Sequence, residues 1–124
     1  MNMLDKAEVM RGRTKQFAIR IVAVVQSLPR SREGDVVGKQ LLRSGTAVAA
    51  NYRSVCRARS KAEFVSKMSI VVEEADETVF WLELLTDTGM VSAGKLELLL
   101  KEANELLAIC AASLRTAKQN KLAS

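Results

Sequence analysis

Between Arg30 and Lys61 the chain carries eight basic side chains and only two acids, Glu33 and Asp35. Arg30, Arg32, Lys39, Arg43, Arg53, Arg57, Arg59 and Lys61 are the residues whose type and spacing could do chemistry, and that chemistry is anion binding. A guanidinium presents a rigid fork of N–H donors that matches two phosphate oxygens at once. Arg43, Arg53, Arg57, Arg59 and Lys61 are the candidates for phosphate contact, because they cluster around one helix and the joint that follows it. A solvated face is the competing reading of such a run. The net charge of +5 permits contact with a polyanion without demanding it. One Trp and one Tyr provide no broad platform for stacked bases. RNA or DNA would therefore be held through phosphates, with strong salt dependence and little sequence preference.

Other chemistries are thinly supported. The chain has no His, which removes Ser–His and Cys–His catalysis, His–metal sites and the carboxylate–His di-iron motif. No Gly-rich loop matches a phosphate cradle. Cys56 and Cys110 without His make no usual structural zinc site, and both read as buried, reduced thiols on apolar helix faces. Glu73, Glu74 and Glu77 share one region, where a salt-bridged face is preferred over a metal or acid–base role. No catalytic residue, cofactor site or metal site is predicted, and the chain reads as a non-enzyme.

The basic residues need elements to position them, and those elements read as helices. Hydrophobic residues make up 48% of the 124 positions but aromatics only 4%, so Ala, Leu and Val fill the interior. One Pro and six Gly give few turn signals, hence few, long elements. One all-α domain over residues 1–124 is predicted, with helices at about 14–28, 32–58, 61–88 and 93–119.

In the first helix, Phe17, Ile21, Val24 and Leu28 form a stripe that ends at Pro29; the β-branched run makes a strand its competitor. Residues 1–12 read as a frayed end, in competition with an arm docked on a neighbouring subunit. Ser31 is the expected N-cap of the second helix, whose stripe is Val37, Leu41, Ser44, Val48, Asn51 and Val55. Gly45 inside that helix implies close approach of a neighbour. Ser44 and Asn51 read as a structural polar pair that fixes register.

Ser60 and Glu63 fit a capping box opening the third helix, where Val65, Met68, Val72, Ala75, Val79 and Leu82 make the seam. Phe64, Val71, Phe80, Trp81, Leu84 and Leu85 fall off it, so this helix must meet more than one neighbour. Its acids, Glu73 to Asp87, complement the basic second helix within or between subunits. Gly89 should stop it. A fourth helix follows on Leu96, Leu99, Ala103, Leu106, Cys110 and Ala117, with a polar tail over 118–124.

The run from Leu41 to Leu85 carries a recognisable set of motifs: Arg-Ser-Gly-Thr and Ala-Asn-Tyr in helix two, Ser-Lys-Ala-Glu-Phe at the joint, and Glu-Ala-Asp-Glu-Thr before Trp-Leu-Glu-Leu-Leu. Over about residues 14–118 the chain resembles the bacterial four-helix-bundle family of 23S rRNA intervening-sequence proteins, and is similar to the accessory subunit of diversity-generating retroelements. The resemblance implies an antiparallel up-and-down four-helix bundle that assembles as a homo-oligomer, a homopentamer. The surplus apolar faces are in keeping with that. The family supplies no catalytic residues to carry over.

The expectation is therefore a non-enzymatic, cytoplasmic homopentamer with a basic surface, binding itself and, through phosphates, RNA, DNA or a nucleoprotein. A protein-interaction scaffold without nucleic-acid affinity is the alternative, its basic helix used for pairing with the acidic one and its protein partner unspecified. No uninterrupted apolar run reaches membrane-spanning length, so no membrane role is expected, nor is a signal peptide.

Overall fold

The computed structural model describes residues 2–123 and contains, among them, four helices and no strand. Helix α1 spans Met3–Ser27, α2 Arg32–Cys56, α3 Lys61–Asp87 and α4 Ala93–Ala123. Three of the starts carry side-chain caps. Asn2, Ser31 and Ser60 accept from the backbone N–H groups of Asp5, Gly34 and Glu63 at 2.9, 3.0 and 3.0 Å. Each cap satisfies one of the orphan donors that every helix start exposes. Only half of the predicted capping box forms, because the Glu63 carboxylate turns to Lys67 at 2.9 Å. The stops are equally local. Leu28 is extended ahead of Pro29, and Gly89 takes φ +75, a left-handed conformation that costs glycine little.

Short joints force antiparallel neighbours, and the contacts agree. Gly38 lies against Val25 and Leu28, whereas Gly45 lies against Ile21, so α1 and α2 run in opposite directions. Helices pack in chain order, α1 on α2, α2 on α3 and α3 on α4, while α1 and α4 meet only sparsely. Arg13 spans that seam, its Nε and Nη2 reaching the Glu102 carboxylate oxygens at 3.1 and 2.5 Å. This hydrogen bonding holds the guanidinium more firmly protonated than usual.

Phe17, Ile21, Leu41, Leu82, Leu85, Leu96 and Leu106 are the largest apolar side chains shut away from solvent. Each such burial is worth roughly 1.5–3 kcal/mol. The predicted stripes of α2 and α4 are buried almost throughout. In α3, Met68, Ala75, Val79 and Leu82 of the predicted seam are buried, but so are Val71 and Leu85, assigned off the seam; Val65 and Val72 are only half-buried. The seam is displaced because α3 sits between α2 and α4 and must fill two contacts.

Three expectations are corrected. First, α1 begins at Met3, not near Thr14, so residues 3–12 are helix and not a frayed end. Asn2 caps it, and Met10 and Thr14 continue the Phe17 and Ile21 stripe backwards into the core. Second, α4 runs to Ala123, beyond the predicted end at about 119; Ser124, like Met1, lies outside the described residues. Third, Cys56 is exposed at the end of α2, and only Cys110 is buried.

The buried hydroxyl of Ser44 has a partner that the stripe did not disclose. Thr78 Oγ1 on α3 lies 3.0 Å from Ser44 Oγ and donates to the Glu74 carbonyl at 2.7 Å. Both residues are fully buried, while Asn51 is half-buried. The register pair is therefore Ser44 with Thr78, across two helices. Thr78→Val keeps the shape and removes the hydroxyl, leaving Ser44 with the Leu41 carbonyl at 3.4 Å. The expected loss is about 1–2 kcal/mol by urea denaturation.

Tyr52 and Cys110 make the core sensitive to alkali. Burial, reinforced by the neighbouring Cys56 and Cys110 thiols, pushes the Tyr52 phenol up from 10.0 to about 12. Burial pushes the Cys110 thiol up from 9.0 to about 11. Above pH ~9 the unfolded chain releases protons that the folded chain retains, so stability falls as pH rises. The urea midpoint should hold steady from about pH 6 to 8 and drop progressively between about 9 and 12. A midpoint unchanged at pH ~11 would contradict this assignment of both groups to the core.

Candidate nucleic-acid interface

A helical repeat of 3.6 residues per turn places Arg32, Lys39, Arg43, Arg53 and Arg57 on the outer face of α2, opposite the buried stripe. All five are exposed, as are Arg59 and Lys61 at the joint with α3. Their surroundings divide them. Arg43 is taken by α3: Nη1 lies 3.2 Å from Glu74 Oε2, Nη2 is paired with Glu77, and Nε donates to Gln40 Oε1 at 3.3 Å. A pair this accessible adds only about 0–1 kcal/mol, but it cancels the charge that a phosphate would seek. Glu74 and Glu77 are consumed in the same contact.

Among the described residues Arg53 and Arg57 form no ion pair. Arg59 is 90% exposed and stands 3.9 Å from Glu63, a carboxylate already bound by Lys67. Lys61 opens α3, where the exposed N–H groups of the first turn add partial positive charge. Four of the five candidates thus gather at the α2–α3 end of the bundle, and the fifth is diverted to a structural contact. Arg30, Arg32 and Lys39, toward the other end of the same face, are also exposed and form no ion pair among the described residues.

The structure adds two cations that sequence reading missed. Arg11 and Lys15 of α1 line a groove shared with Arg53 of α2. Arg11 was overlooked because residues 1–12 were read as a frayed end, and Lys15 because it lies off the apolar stripe of the predicted first helix. The available signal was the continuation of the Phe17 and Ile21 spacing through Thr14 to Met10. The arrangement can hold phosphates at several points. Among the described residues no three Cys, Asp or Glu side chains converge as a metal site.

The same fold recurs in a solved structure, and the chain matches a known family. The profile of the 23S rRNA-intervening sequence protein family matches residues 7–112. The chain belongs to that family. A similar solved structure is that of a protein of unknown function from the S23 ribosomal protein family of Bacteroides thetaiotaomicron VPI-5482. It is 34% identical, with a TM-score of 0.81 over 89% of this chain and 98% of that one. No curated protein matches the chain. The chain therefore shares its fold with a structural relative of unknown function. None of its helices is long and apolar enough among the described residues to cross a membrane.

Proposed function

We propose that the protein is a non-enzymatic, cytoplasmic homopentamer that binds RNA or DNA through phosphates at the α2–α3 end of each bundle. One observation carries the nucleic-acid reading: Arg53, Arg57, Arg59 and Lys61 cluster there, exposed, and among the described residues their one ion pair is the loose 3.9 Å contact of Arg59 with Glu63. Arg43 is left out of the contact set because α3 already holds it.

Self-assembly is supported by apolar side chains that the single chain leaves in water. Ile19, Val36, Phe80 and Leu98 are 51%, 58%, 52% and 71% exposed. Trp81, edge-to-face with Phe80 at 4.9 Å, has a buried Nε1 without a partner among the described residues. Such an orphan donor is costly to leave unpaired. Five copies is the number that the sequence resemblance implies. A second reading, a scaffold without nucleic-acid affinity, is supported by the Arg43 contact with Glu74 and Glu77, in which one cation of the basic helix is already paired.

Light scattering coupled to size exclusion, with and without bulk RNA at low and moderate salt, separates these readings. A pentamer that moves with RNA and releases it as salt rises supports the proposal. A pentamer indifferent to RNA leaves the scaffold, and a monomer removes the assembly.

A further inference from the structure

We infer that the groove between α1 and α2 holds a single unpaired strand of nucleic acid by its phosphates, which makes the protein selective for unpaired over duplex RNA. This rests on the phosphate-binding reading above and names the form of its ligand. Two features of the groove point to an unpaired strand.

The first is its floor. Gly12, Ala49 and Ala50 line it, and a Cβ built on Gly12 meets nothing within 4 Å. Glycine inside a helix costs up to about 1 kcal/mol against alanine, and here no neighbour within the chain requires it. The floor is therefore open to an incoming chain. The furrow lies between two helices packed against each other, whose axes sit about 8–10 Å apart in such contacts. It admits one sugar–phosphate chain, whereas a duplex would rest on its rims.

The second is the charge along its walls. Arg11 and Lys15 are one helical turn apart on α1, a rise of about 6 Å, comparable to the step between phosphates of an extended strand. Arg53 faces them from α2, and Arg57 follows one turn on, so the track leads out of the groove to Arg59 and Lys61. No aromatic side chain lines the groove, so the bases have nothing to stack on and selection falls on strand form. Glu8 stands at the wall, 3.5 Å from Arg11, as the one anion there. It occupies the guanidinium in the free protein and is displaced when a phosphate arrives.

The test compares a short unpaired RNA with a duplex of the same length by fluorescence anisotropy, using wild type, Arg11→Glu/Lys15→Glu and Glu8→Gln. Wild type is expected to bind the unpaired RNA at least tenfold more tightly (about 1.4 kcal/mol). The double reversal should cost the unpaired RNA about tenfold and the duplex no more than about threefold. Glu8→Gln should tighten unpaired RNA by about threefold, a gain that a misfolded variant cannot give. Duplex bound as tightly as unpaired RNA, or unpaired RNA unaffected by both variants, overturns the groove while leaving phosphate binding at the joint intact. Neither RNA binding to wild type overturns both.

Discussion

Arg53→Glu/Arg57→Glu is expected to weaken RNA binding at least about tenfold at ~0.1 M salt and to make the salt dependence shallower by about 1.4 log units per log unit of salt. Each phosphate contact to a single strand releases condensed counterions and contributes about 0.7 to that slope, and the double variant removes two contacts. Fold and assembly should be unaffected, because both side chains point to solvent and no described carboxylate holds either. Arg43→Gln is the matched control. Its guanidinium lies on the same face but is bound to Glu74 and Glu77, so RNA affinity should stay within about twofold. Equal losses from the two variants would mean that net charge alone governs binding.

Gly45→Val is expected to destabilise the bundle by about 3 kcal/mol. A Cβ at this position would sit 2.8 Å from both Cγ1 and Cγ2 of Ile21, which is itself fully buried and stiff at χ1. Valine adds two methyl groups to that collision. Relief requires α1 and α2 to separate along the seam they share. Gly12→Ala is the opposite case, since its new Cβ meets nothing, and helix propensity alone should add up to about 1 kcal/mol. Urea denaturation followed by helical circular dichroism reads both. A neutral Gly45→Val would show that the helices have room to spare, contrary to the close approach seen here.

That pair of glycines also marks what was legible in the sequence. Gly45 was readable, because it interrupts a strong stripe in a helix that needs a neighbour, and a helix pays for glycine only where something must come close. The caps at Ser31 and Ser60 and the stops at Pro29 and Gly89 were readable for the same reason: their causes are local. Gly12 misled, because Arg11, Gly12 and Arg13 look like the end of a pattern. The stripe in fact runs through them to Met10, sustained by packing on α2 and by Arg13 reaching Glu102. The partner of Ser44 was hidden because it lies on another helix, and Thr78 is unremarkable in its own stripe. The basic run was visible from the first. Which of its members were already taken was not, since that depends on where α3 places Glu74 and Glu77.

The most direct test is NMR of the arginine side-chain Nε–Hε groups as RNA is added. The resonances of Arg53 and Arg57 should shift and saturate together, while those of Arg13 and Arg43, held by Glu102 and by Glu74 with Glu77, should stay in place. Movement of Arg43 with Arg53 and Arg57 unmoved, or no movement at any arginine, would contradict phosphate binding at the α2–α3 end of the bundle.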